Sequence, residues 1–268
     1  MSVPAQTLVM GILNVTPDSF ADGGKHLTLD DALTRAHQMV SEGVDIIDIG
    51  GESTRPGAER VSAEQERERV IPVLKELSSW SVPVSLDTTR AQLAREAISL
   101  GVSYINDVSG GLADSEMPAV IASSSVKYIA MHWRAHSAEM MDHAQYDDVV
   151  GEVKSELQSR VDQLLAAGID KQQLILDPGI GFSKTSRQNW EILRSLDEFH
   201  ELGAPLLIGA SRKRFLGEEL KPEEREEASV AVTSFCAAQG IWAVRTHSVK
   251  PHKDTIARVA QLQVAING

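Results

Sequence analysis

One cysteine, Cys236, stands in 268 residues, so no disulfide can form within the chain. That suits a reducing compartment, and the expected location is the cytoplasm. No apolar run is long enough to span a bilayer, and the N-terminus lacks the basic, apolar, small-residue order of a secretory signal. No membrane association is expected. Positive charge is also short: 26 Lys and Arg face 38 Asp and Glu, a formal net charge of −12. Phosphate backbones are held by a surplus of Lys and Arg, so nucleic acid is not an expected partner. A small anion is not excluded, because a few local cations, a metal ion and backbone N–H groups suffice to hold one. In so acidic a chain, basic groups that converge on one place are the more informative.

What the sequence does have is alternation. Short apolar runs at 8–16, 45–51, 82–88, 104–110, 128–133, 174–180, 206–211 and 241–248 predict eight strands. Most are rich in Ile, Val and Leu without polar alternation, as strands buried on both faces are. Between them, apolar residues recur at helical spacing, as in Val70, Val73, Leu74 and Leu77, or Val150, Val153, Leu157, Val161 and Leu164. Ser62 with Gln65, Thr89 with Gln92 and Thr185 with Gln188 read as capping boxes, and Pro251 as a first-turn proline of the last helix. The charge run 218–227 reads as a solvated loop and helix start, and Cys236 and Met39 as packing residues. No stretch resembles an interdomain linker. Eight βα units predict one domain spanning 1–268, a TIM (β/α)8 barrel with its site at the C-terminal ends of the strands. An open Rossmann sheet is disfavoured, because the first strand is not followed by G-x-G-x-x-G.

Every predicted strand ends in groups that hydrogen-bond or ionise: Asn14, Asp48, Asp87, Asn106 with Asp107, Met131-His132-Trp133-Arg134, Asp177, Ser211-Arg212-Lys213 and Arg245-Thr246-His247. Any one of these could be a helix cap, but a closed barrel brings all eight to one rim. Their chemistry divides in two. Asp87, Asn106 and Asp177 are groups that read a flat heterocycle with donor and acceptor edges, and Lys213 could pair with a ring carbonyl or nitrogen. Arg245, His247 and Arg55 are cationic donors for an anion such as diphosphate. Asn14 offers a neutral oxygen suited to Mg²⁺ that keeps its waters and binds substrate phosphate. Two loops punctuated by Gly and Pro, at 16–24 and 52–58, read as lids over the site. His132, His136, His143 and Glu139 lie close in sequence, but the end of strand 1 holds Asn14-Val15-Thr16 where barrel metallohydrolases carry histidines, so catalytic zinc is not expected.

At these residues the chain resembles a known family. Met10-Gly11-Ile12-Leu13-Asn14-Val15-Thr16-Pro17-Asp18-Ser19-Phe20 and Asp48-Ile49-Gly50-Gly51-Glu52-Ser53-Thr54-Arg55-Pro56-Gly57-Ala58 are similar to signatures of the dihydropteroate synthases. Asp177-Pro178-Gly179-Ile180-Gly181-Phe182 and Ser211-Arg212-Lys213 follow in the family's order. The resemblance implies condensation of 6-hydroxymethyl-7,8-dihydropterin diphosphate with p-aminobenzoate, with Mg²⁺, by a homodimer. It implies that Asp87, Asn106, Asp177, Lys213, Thr54 and Met131 hold the pterin, and Arg245, His247 and Arg55 the diphosphate. Asn14 would meet the metal. Phe20, Pro56, Ser211 and Arg214 would shape the p-aminobenzoate pocket, where sulfonamides compete in this family. Asp22 and Asp87 would stabilise a pterin cation, and Lys213 would be essential to turnover. Two departures stand out: Ala21 where Ser is common, and Ser248 where the family's Arg-x-His block usually ends in Asp. A pterin-dependent methyltransferase barrel and a catalytically silent pterin-binding paralogue are the alternatives. The two loops and the Arg245-x-His247 pair, which suit a diphosphate and a second substrate, weigh against both.

Overall fold

Apolar runs too short for helices fold as strands, and the amphipathic stretches between them fold as helices. The computed structural model describes residues 6–16, 29–53, 57 and 60–267. The elements are β1 (Leu8–Asn14), α1 (Leu29–Ser41), β2 (Ile46–Gly50), α2 (Ala63–Leu77), β3 (Val84–Asp87), α3 (Ala91–Ser99), β4 (Tyr104–Asp107), α4 (Met117–Ala122) and β5 (Lys127–Met131). They continue with α5 (Val149–Ala166), β6 (Leu174–Asp177), α6 (Ser186–Arg194), α7 (Leu196–His200), β7 (Leu207–Ile208), α8 (Glu226–Ala238), β8 (Ala243–Thr246) and α9 (Lys250–Asn267). All eight expected strands form, each ending earlier than its apolar run.

The strands are parallel throughout, in the order β6-β5-β4-β3-β2-β1-β8-β7. One bridge, Leu176 to Leu206, with the Leu176 N–H donating to Pro205 O at 2.9 Å, brings β6 back beside the start of β7. The sheet is therefore a barrel closed on seven seams by ladders and on the eighth by a single bridge. β7 is only two residues long, because the expected run 206–211 leaves the ladder at Gly209.

A period of two sorts each strand into an outer and an inner set of side chains. The outer set packs against the helices in one continuous core that includes Val9, Ile47, Ile49, Leu86, Ile105, Leu176 and Val244. The inner set fills the barrel. Its lower layer is apolar: Met10, Ile46, Ile129, Ile175, Leu207 and Ala243, flanked by Leu8, Tyr104 and Trp242. Two residues further along the strands the layer turns polar, with Asp48 above Ile46, Asn106 above Tyr104, Asp177 above Ile175 and Arg245 above Ala243. The floor of the site is thus the next inward rung of the barrel's own core.

The helix starts follow local chemistry. Ser62 and Thr185 form the expected capping boxes, and Pro251 lies in the first turn of α9. The expected box at Thr89 does not form. Thr89 Oγ1 accepts from Arg60 Nη2 at 3.2 Å, α3 is preceded by Arg90 without a side-chain cap, and Asp114 Oδ2 accepts the Ala91 N–H at 2.8 Å. A carboxylate distant in sequence has taken the place of the local cap. Cys236 and Met39 are fully buried, as expected.

Candidate active site

The polar rung is built around one guanidinium. Arg245 Nε donates to Asp48 Oδ2 at 2.6 Å, and Arg245 Nη2 donates to Asp87 Oδ2 at 2.7 Å. Asn106 Nδ2 donates to the same Asp48 oxygen at 3.0 Å, so its own Oδ1 is the acceptor it can offer a ligand. Four strands, β2, β3, β4 and β8, meet in this cluster. Asp48 is fully buried, and Asp87 and Asn106 nearly so. Burial, with the carboxylates of Asp48, Glu66 and Asp107 adding to it, raises Asp87 above the usual carboxylate range against the pull of Arg245. The two bonds to carboxylates leave Arg245 donor capacity for an anion, since a guanidinium carries five N–H groups.

Asp177 and Lys213 form the opposite wall. Asp177 Oδ1 accepts the Gly179 N–H at 2.7 Å, and burial raises the carboxyl while Lys213 opposes. Lys213 Nζ donates to Ile180 O and lies 4.5 Å from the centroid of the Phe182 ring. Burial pushes this ammonium down to about 8, against the attraction of Asp177. Its path needs a glycine: at Gly181, where φ is +80°, a Cβ would stand 2.6 Å from Lys213 Cδ. Met131, buried on β5, is in register with Asp177.

His247 Nδ1 and Ser211 Oγ are 3.0 Å apart, and the His247 N–H donates to the same hydroxyl at 3.2 Å. The segment after β7 is thereby tied to the end of β8. Arg214, one residue beyond Lys213, is exposed. Asn14 ends β1 opposite Gly50, and a Cβ added there would lie 3.7 Å from Asn14 Oδ1 and 3.8 Å from Asp87 Oδ2. A cleft of about 540 Å³ opens beside Asp87, lined by Glu52, Thr88, Arg90, Trp133, His136 and Phe182 among others. Its base is braced by Arg90, which donates to Glu52 Oε2 at 3.0 Å and to the buried Glu66. Gly57 N–H donates to Ser137 O at 2.9 Å, linking the second loop to the segment after β5. Phe20, Asp22, Thr54, Arg55 and Pro56 lie outside the described residues.

Two groups were not singled out from sequence. The first is Asp48: Ile46, Asp48 and Gly50 share the inward phase, and that period is the signal that points to it. The second is a buried relay behind the 177–184 loop. Lys184 Nζ donates to Gly179 O at 3.2 Å and to Phe182 O at 3.1 Å, and lies 3.0 Å from His132 Nδ1. Since the ammonium has only donors, Nδ1 accepts, and His132 Nε2–H is left to donate to Glu156 Oε2 at 2.9 Å. Burial, then Lys184, pushes His132 down to about 4; burial pushes Lys184 down to about 7 against Asp177. Asp107, by contrast, faces the helices. It accepts from Ser109 N, Ser109 Oγ, Gly111 N and Tyr128 Oη within 2.9 Å and holds a turn.

The model of a family described as "pterin binding enzyme" matches residues 10–247. The dihydropteroate synthase of Mycobacterium leprae is 46% identical over 94% of this chain and 92% of its own length. Among solved structures, the dihydropteroate synthase of Clostridium difficile in the presence of pteroic acid is 39% identical. It superposes with a TM-score of 0.90, covering 98% of each chain. That of Xanthomonas albilineans with 4-aminobenzoic acid is 40% identical with a TM-score of 0.90, covering 97% of this chain and 94% of its own. A polar rung of Asp, Asn, Lys and Arg on a parallel barrel floor and likeness over nearly the full length agree, and the chain belongs to the pterin binding enzymes, in the dihydropteroate synthase family.

Proposed function

We propose that this chain joins 6-hydroxymethyl-7,8-dihydropterin diphosphate to p-aminobenzoate, releasing diphosphate and 7,8-dihydropteroate. One observation carries the reading: Asp48, Asp87 and Asn106 cluster around Arg245, while Asp177 Oδ2, Lys213 Nζ and Arg245 Cβ each lie 3.9 Å from where a Cβ at Gly209 would stand, with His247 just after β8. A pterin edge alternates donors and acceptors, which Asp48, Asp87, Asn106, Asp177 and Lys213 complement, with Met131 buried beside them. Related structures were solved in the presence of pteroic acid, the product's close analogue, and with 4-aminobenzoic acid, the second substrate.

In the reaction the bond from the hydroxymethyl carbon to the diphosphate oxygen breaks, and a bond to the amine nitrogen forms. The amine then gives up one proton. Arg245, His247 and Arg55 would take up negative charge on the leaving group, while Asp87 and Asp22 would stabilise positive charge spreading into the ring. A neutral aromatic amine is already nucleophilic, so no strong base is required. Phe20, Pro56, Ser211 and Arg214 would border the p-aminobenzoate. Closure of the loops at 16–24 and 52–58 would keep water from capturing the cation.

Mg²⁺ fits the donors. Among the described residues no three His, Cys, Asp or Glu gather around a metal position, and Asn14 offers a single amide oxygen at the rim, close to Asp87 across Gly50. That suits an ion that keeps its waters and takes most other ligands from substrate phosphates. Bound there, it would offset charge on the diphosphate. The same reading carries a cytoplasmic homodimer. Exposed Phe235 on α8 and Leu262, Val264 and Ile266 on α9 support association, and sedimentation velocity checks it.

The test supplies both substrates with Mg²⁺ and follows dihydropteroate. Product is expected; pterin binding with no product would sink the proposal in favour of a silent paralogue.

A further inference from the structure

The charge run 218–227 is not solvated at its inner end. Arg225 is buried, and Glu226, the first residue of α8, is three-quarters buried. One carboxylate there meets three other segments of the rim. Arg212 Nε, after β7, donates to Glu226 Oε2 at 2.9 Å. Ser248 Oγ, after β8, donates to Glu226 Oε1. His252 Nε2, on α9 and fully buried, lies 3.2 Å from Oε1, while its Nδ1 faces Thr233 Oγ1 at 2.7 Å. A carboxylate only accepts, so Nε2 carries a proton and this histidine donates to Glu226.

Arg212 and Ser248 are neighbours of the groups that matter. Arg212 immediately precedes Lys213, and it sits at φ +58°, a left-handed conformation that a side-chain-bearing residue adopts at a cost. It is held there from three sides: its N–H donates to Ser229 Oγ at 2.9 Å, its carbonyl accepts from Arg225 Nη1 at 3.1 Å, and its guanidinium meets Glu226. Ser248 immediately follows His247. Arg212 and Ser248 are joined through Glu226.

We infer that Glu226 is a positioning residue, holding the segment that carries Lys213 against the segment that carries Arg245 and His247. It also supplies, from the first turn of α8, the negative charge that Ser248 does not carry. The inference deepens the proposed function, since the two segments it joins bear the pterin and diphosphate ligands of that reading.

The relationship between the two positions makes a reciprocal test available. The Ser248 hydroxyl already touches the Glu226 carboxylate, so a carboxylate at 248 in place of one at 226 lies within reach of Arg212. In Glu226→Gln, amide hydrogen exchange at Arg212, Lys213 and His247 should speed up tenfold or more. Those amides are bonded to Ser229 Oγ, Ala210 O and Ser211 Oγ, so their protection reports how the two segments are held. The KM for the pterin diphosphate should rise by about the same factor, with kcat changed less. Adding Ser248→Asp to Glu226→Gln should restore most of both. Ser248→Asp alone should impair, by setting two carboxylates against each other.

Unchanged exchange in Glu226→Gln overturns the inference, as does a folded double variant that recovers nothing. If Glu226→Gln does not fold, Ser248→Ala decides: exchange faster at His247 but not at Arg212 is expected, and no change at either overturns it. Exchange is read without substrate, so a wild-type protein that makes no dihydropteroate refutes the proposed reaction and leaves this inference to be judged on exchange alone.

Discussion

Arg245 and Asp48 are joined at 2.6 Å across the barrel floor, and the Asp48 side chain is fully buried. A buried carboxylate with one close cation is stable only while the cation stays. The rigidity of Arg245, and through it of Asp87, depends on a residue that need not touch a diphosphate at all. Asp48→Asn should therefore lower stability by roughly 3 kcal/mol, the usual order for breaking a buried pair. It should also cut kcat/KM for the pterin substrate at least tenfold. Denaturant titration and steady-state kinetics check this; a variant normal in both would mean that Asp87 holds Arg245 unaided.

Lys213 is expected to set the alkaline limb of activity. Its ammonium is charged below about 8 and neutral above, because burial lowers it from its ordinary value. Recognition that needs the charge is present at neutral pH and lost as pH rises through that value. The profile of kcat/KM, which reports the free enzyme, should bend down near pH 8. In Lys213→Arg, which stays charged, the bend should vanish even though the maximum is lower. A bend that survives the substitution belongs to another group.

Lys184 carries a linkage prediction of its own. Its pKa falls from 10.5 unfolded to about 7 folded, with burial the main cause. Between those values the unfolded chain binds more protons, so stability rises with pH across that window; below pH 7 the full cost of burying the charge is present. Lys184→Met removes this slope, which urea titrations at pH 7 and pH 10 would reveal. The variant also strands Gly179 O, Phe182 O and His132 Nδ1, costing about 1–3 kcal/mol for each acceptor left unsatisfied. Equal slopes in the two proteins would refute the assignment.

Gly181→Ala tests the approach of Lys213 to its loop. The added methyl collides with the lysine stem rather than with backbone, so the side chain is what gives way. Pterin affinity should fall more than tenfold, measured by calorimetry. Stability should fall by about 1 kcal/mol, from the left-handed φ alone. Affinity unchanged would place Lys213 away from the ligand.

The strand ends were legible because a strand repeats every two residues and a barrel must bring like ends together. Asn106, Asp87 and Asp177 could be picked out for that reason, and they do share one rung. Asp48 obeys the same period, but a single acidic residue between isoleucines gives no hint of which cation it meets; Arg245 is 197 positions away. The His132–Lys184–Glu156 relay was illegible for a related reason. It joins a strand end, a loop and one face of α5, and nothing local to any of them marks the meeting. The Thr89 cap failed because Thr89 was already engaged with Arg60 and Asp114 reached the helix first. Local patterns name candidates for a bond, and tertiary competition decides among them.

The barrel's one weak seam runs between β6 and β7, where a single bridge replaces a ladder. Asp177 ends one bank of that seam and Lys213 follows the other. A molecule that grips both residues would act as the missing rung. Binding of a pterin should then behave as a fold-completing event, slowing exchange at Leu176, whose N–H donates to Pro205 O across that seam, more than at amides in the seven laddered seams. An inhibitor confined to the outer cleft should leave the seam as loose as before. The barrel's incompleteness is thus a built-in reporter that separates occupants of the floor from occupants of the mouth.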